Sequence, residues 1–91
     1  MQFIKPLRPR IKSGEVTTSI RIWKSPHVKV GGRYKLEEGF VAVEAIKEIA
    51  LSDITPDMAR ASGFEGVVDL LKTAKHGHGQ NVYLVRFHYT K

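Results

Sequence analysis

With 91 residues and a net charge of +6, the chain is sized for one domain, whose folding buries roughly 60–65% of the unfolded chain's surface. It has no cysteine, which excludes a disulfide frame and thiolate metal sites. No apolar run approaches the roughly 18–20 residues of a membrane span, and none follows the basic opening MQFIKPLRPR, so neither a membrane partner nor a signal peptide is expected and the cytoplasm is the expected compartment.

Phe3-Ile4 reads as a short strand or strand-like lead-in. Leu7–Ser13 is expected as a short helix begun on a proline and stopped at Ser13-Gly14. Thr17–Trp23 is a strand with two unlike faces: Thr18, Ile20 and Ile22 on one, Thr17, Ser19, Arg21 and Trp23 on the other. Lys24–Gly32 is a loop marked by Ser25-Pro26 and Gly31-Gly32, Arg33–Leu36 a short strand, and Glu37–Gly39 a turn. Phe40–Leu51 begins in strand alternation and loses phase near Ile46-Lys47, as a long bent or bulged strand does.

Thr55-Pro56-Asp57 joins a capping hydroxyl, a proline at the first helical position and an acid in the first turn, so a short helix follows, ended at Gly63. Phe64, Val67, Val68 and Leu71 recur at helical spacing, which predicts a second helix to about Ala74 with an apolar face inward. His76–Asn81 is a Gly-rich loop. Val82–Tyr89 is the last strand, with Tyr83, Val85, Phe87 and Tyr89 on one face and Arg86 and His88 on the other. Strands at both ends with a helical pair between them predict a single α+β domain over residues 1–91, a small barrel.

Charge is divided along the chain. Residues 1–35 hold nine Lys or Arg against Glu15, residues 36–71 eight acids against Lys47 and Arg60, and residues 72–91 four bases and no acid. If the two ends meet in the fold, they form a positive face that attracts a polyanion such as RNA. The acidic segment 36–71 offers the other option, a basic protein partner.

A small core has no need of the Ser19–Arg21–Trp23 face. Arg21 is the candidate anion contact, since a guanidinium grips phosphate at two points; the alternative is a structural pairing with Glu44 or Glu48. Ser19 is a hydrogen-bonding partner, and Trp23 is either a base-stacking surface or core. Lys24, His27 and Lys29 follow at the mouth of such a site. Arg86 and His88 add their charge to Arg21 if the last strand pairs near the first. Lys12, with Lys5, Arg8 and Arg10, forms a stretch suited to phosphate backbone contacts. His76 and His78 have the spacing of two metal ligands but lack an evident third, so they read as loop, and neither a metal nor a cofactor is expected. Glu37-Glu38 reads as a solvated turn.

Three landmarks stand in order: Gly14 to Arg21, Ala61-Ser62-Gly63-Phe64 followed by Asp69-Leu70-Leu71, and the closing Val82-Tyr83-Leu84-Val85-Arg86-Phe87. Over nearly the whole chain their order and spacing resemble the ASCH domain, a relative of the PUA RNA-binding domain. The resemblance implies a small PUA-like open β-barrel of about five to six strands with two or three short helices around a cleft, and binding of RNA or a nucleotide-like ligand there. One group of the family is similar to small amidohydrolases that act on modified cytidine through a lysine, a hydroxyl residue and a glutamate. Those positions look like Val16, Ser19 and Ser62 here. The chain keeps Gly14, Ser19 and Arg21 but lacks the lysine and the acid, which leaves the Ser19 hydroxyl without an evident activator. A binding domain is therefore the expectation. The alternative is a hydrolase of RNA or a modified nucleoside with Ser19 at its centre and His27 or His88 as base.

Overall fold

The computed structural model describes residues 1–74 and 81–91. A 3-10 turn over Lys5–Leu7 leads into helix α1 (Arg8–Lys12). Strand β1 (Thr18–Trp23), β2 (Arg33–Leu36) and β3 (Gly39–Ile49) follow, then a 3-10 turn at Leu51–Asp53, helices α2 (Pro56–Ala61) and α3 (Val67–Ala74), and strand β4 (Asn81–Thr90). The four strands form one antiparallel sheet in the order β1-β4-β3-β2, curled into a half-barrel. The α+β class is as expected; the sheet has four strands among the described residues, against the five or six expected.

Phe3-Ile4 is one reason for the difference. It is not a strand: Pro6 lies in the 3-10 turn, and a proline has no N–H to give a ladder. The segment serves instead as a plug, with Phe3 buried and its ring centroid 5.5 Å from that of Phe87. The loop of residues 24–32 behaves similarly, burying Val28 in the same core and docking Gly31 N–H on the Val43 carbonyl at 2.8 Å.

The helix signals work locally. Thr55 Oγ1 accepts from Met58 N–H at 3.1 Å, with Pro56 at the start of α2. The loss of phase in β3 is a bulge at Glu44, where the pairing with β4 shifts between Val43 and Ala45. The extra residue restores the alternation, so Val41 and Val43 before it and Ile46 after it all face the same core.

Both faces of the sheet are used. The concave face packs Val41, Val43, Tyr83, Val85 and Phe87 against Phe3, Leu7, Ile11 and Val16 of the N-terminal segment. The convex face, at its β1 end only, packs Ile20, Ile22 and Val82 against Ile54, Ala59 and Leu70. Phe64 touches both cores. β4 thus reads apolar over Val82–Val85, the stretch covered on both sides.

Gly63 joins α2 to the N-terminal layer. Its φ is +94°, and a Cβ there would collide with Leu7 Cδ2. Gly14 also has positive φ, +85°, but no neighbour within 4 Å of a Cβ. Gly63→Ala is expected to lower stability by about 2 kcal/mol, since strain and overpacking combine, and Tm by roughly 8–16 °C. Gly14→Ala carries strain alone and is expected to lose about 1 kcal/mol. Thermal denaturation followed by circular dichroism checks both, and equal losses would remove the collision as the cause.

Candidate functional site

Among the described residues β1 pairs with β4 alone and is an edge of the sheet. A cleft of about 420 Å³ runs along it, within the range of small-ligand sites. Gln2, Phe3 and Ile4 wall one side, and Phe64, Thr73 and Ala74 the other. Ser19, Arg21 and Trp23 line it from the concave face of β1.

The backbone of the edge takes part. Phe87 N–H bonds to the Thr17 carbonyl at 2.9 Å, and Ser19, Arg21 and Trp23 stand opposite Val85, Tyr83 and Asn81. Antiparallel ladders alternate, so the odd residues of β1 bond to β4 and the amides of Ile20 and Ile22 point to the free edge. The cleft, which Ile20 and Ile22 also line, therefore presents a backbone acceptor and a backbone donor side by side.

Arg21 is the centre of the site. Its Nε donates to Ser19 Oγ at 2.7 Å and its Nη2 donates to the Gln2 carbonyl at 2.5 Å. Its guanidinium carbon sits 4.8 Å from the centroid of the Phe3 ring, a cation–π contact. No carboxylate pairs with it among the described residues. The structural pairing with Glu44 or Glu48 is thus not made; Glu44 lies on the opposite face, engaged with Arg86 and His88. Burial pulls the Arg21 guanidinium down from its usual range to about 10. It remains a cation at neutral pH, fixed in place and poorly hydrated. Two of its five N–H groups are used within the protein, and Ser19, which accepts from Nε, keeps its own proton to give.

Trp23 forms the mouth. Its ring stacks on His27 with centroids 4.8 Å apart and planes 18° from parallel, and it lies 5.9 Å from Tyr83. It is half-buried, packs against the core and, together with His27, lines the cleft.

Of the other expected site residues, Lys24 is exposed beside Trp23, its carbonyl bound by Asn81 Nδ2 at 2.9 Å, and it does not line the cleft. Arg86 and His88 project from the convex face and are not brought to Arg21. The last strand does pair with the first, the condition for their charge to add, but Arg21 stands opposite Tyr83, and Arg86 alternates to the other side. Lys12 is tied to Glu38 at 2.6 Å; that hydrogen bond raises the Lys12 pKa and lowers that of Glu38. Arg8 and Arg10 pair with Glu37 and Glu15. Glu37-Glu38, expected as a solvated turn, is exposed but holds Arg8 and Lys12. Ser62 is buried and shares a 3.1 Å hydrogen bond with Thr18 Oγ1, away from the cleft. Val16 is core. His76 and His78 lie outside the described residues, and among the described residues no three potential ligands converge on a metal site.

The sequence reading missed Phe3 and Phe64 as site walls. Both carry ordinary apolar signals, and only the crossing of the N-terminal segment over β1 makes Phe3 the platform under Arg21. No known protein family, curated protein or solved structure matches the chain.

Below pH 10 Arg21 is protonated in both folded and unfolded states, so its desolvation opposes folding by a constant amount on the order of a few kcal/mol. Above pH 10 the folded state releases the proton first, and the penalty fades. Arg21→Met is therefore expected to be at least as stable as the wild type at pH 7, with the difference narrowing above pH 10. Denaturant titrations at pH 7 and pH 10.5 check this; a loss above about 1 kcal/mol at pH 7 would mean that the hydrogen bonds to Ser19 and Gln2 outweigh desolvation.

Proposed function

We propose that this is a PUA-like domain of the ASCH kind that binds RNA or a nucleotide-like ligand in the β1 cleft, its anionic group on Arg21. One observation carries the most weight: Arg21 is desolvated in a cleft with no carboxylate partner among the described residues. A fold keeps an unneutralised buried cation at a cost in stability, and an incoming phosphate or carboxylate removes that cost.

The surroundings specify more. Ser19 Oγ adds a neutral donor beside the guanidinium. The Trp23–His27 aromatic stack lines the cleft and receives a flat ring against it, a contact worth about 1–3 kcal/mol for a base. The free amides of Ile20 and Ile22 match a ring edge that carries a donor next to an acceptor. An anionic group, a ring and such an edge together describe a nucleotide. Binding is favoured over hydrolysis because the hydrogen bond of Ser19 Oγ is to a cation, Arg21, rather than to a base that would accept its proton.

Calorimetric titration with nucleoside monophosphates and with a short single-stranded RNA tests this. Wild type is expected to bind at least one of them, and Arg21→Gln to bind about 10–100-fold more weakly, the loss of a charged hydrogen bond. Trp23→Leu is expected to lose about tenfold. An unchanged affinity in Arg21→Gln, or no binding by the wild type, would overturn the assignment. Cleaved RNA recovered at the end would replace it with the hydrolase.

A further inference from the structure

The convex face of the sheet is covered by α2 and α3 only over β1 and the adjoining half of β4. Among the described residues nothing covers its other half. Register places Lys35, Phe40 and Thr90 in one row across β2, β3 and β4, and Arg33, Ala42 and His88 in the next. Arg86 projects from the same face one step further along β4, opposite Ala45.

Phe40 organises this patch. The Arg33 guanidinium lies 4.8 Å and the Lys35 ammonium 4.9 Å from the centroid of its ring. Two cations are thus gathered on one aromatic side chain, and neither has a carboxylate partner among the described residues. They contrast with Arg8, Arg10, Lys12, Arg60 and Arg86, which all do. Like charges held together repel unless an anion joins them. The acid on this part of the face is Glu44, already shared between Arg86 at 3.3 Å and His88 at 2.8 Å.

We propose that this open half of the convex face binds the sugar–phosphate backbone of a single-stranded RNA, with phosphates on Arg33 and Lys35. The patch lies on the convex face with Arg33 and Lys35 exposed, so it encloses no small anion. Its two cations occupy alternate residues of an edge strand, about 7 Å apart along it, a separation that suits successive phosphates of an extended strand. The half-buried Phe40 ring between them lets a base lie against the sheet where it is not covered by the cations. The proposal extends the cleft reading from a nucleotide to a polymer but stands on different residues, three strand spacings from β1.

The test is fluorescence anisotropy of a labelled twelve-nucleotide single-stranded RNA at several salt concentrations, alongside calorimetry with a nucleoside monophosphate. For Arg33→Gln/Lys35→Gln, RNA affinity at low salt is expected to fall about tenfold, with the salt slope shallower by about 1.4 for two lost phosphate contacts. Its mononucleotide affinity is expected to match the wild type. Arg10→Gln/Lys12→Gln removes the same net charge from paired residues and is expected to change RNA affinity less than threefold. None of the four residues is buried, and melting curves verify folding. An unchanged RNA affinity and slope in the Arg33/Lys35 variant, an equal loss in the Arg10/Lys12 control, or competition by an acidic peptide as strong as by RNA would overturn the proposal. Failure of mononucleotide binding in the wild type, with the RNA effect intact, would remove the cleft reading and leave this one standing.

Discussion

The register of β4 is the constraint on which the rest depends. β4 lies between β1 and β3 and is buried on both faces, by Val85 and Phe87 on one and Val82 on the other. A slip of one residue between β1 and β4 would exchange those faces, turning the Arg21 side chain toward α2 and α3 and the Ile20 side chain toward the concave core. Apolar burial on two sides penalises that slip twice. The bulge at Glu44 performs the matching adjustment on β3, keeping Ile46 in phase with Val43.

That register delivers a cation into a poor environment. Ser19, the Gln2 carbonyl and the Phe3 ring hold the Arg21 guanidinium without neutralising it. Hydrogen bonds and a cation–π contact offset part of the desolvation while leaving N–H groups free. The site is consequently preorganised: the donors stand in place before a ligand arrives, and little side-chain freedom remains to be lost on binding.

Charge followed the opposite course. The sequence separates a basic first third from an acidic middle, yet folding mixes them. Glu37, Glu38 and Glu44 from the middle meet Arg8, Lys12 and Arg86 from the two ends. Such exposed pairs contribute little to stability, but they quench much of the field that the linear pattern implied. Among the described residues, Arg21, Arg33 and Lys35 are cations on the sheet that meet no carboxylate.

The sequence by itself determined the capped start of α2 at Thr55-Pro56 and its stop before Gly63, the bulged long strand, the two-faced β1 and the α+β class, because capping residues, prolines and glycines act within a few positions; the apolar face expected of α3 differs, since Leu70 is its buried residue and Val68 is exposed. It also singled out Ser19, Arg21 and Trp23, since an arginine and an indole on one strand face are a local pattern. Only the tertiary structure decided that Phe3 is a plug and the platform under Arg21, that Arg86 and His88 stand on the far face, that Ser62 is a buried partner of Thr18, and which cations meet a carboxylate. Most of those depend on segments distant in the sequence: Phe3 and Phe87 are 84 positions apart, and Thr18 and Ser62 are 44. No local propensity encodes such meetings; the register of the sheet and the burial of both its faces select them.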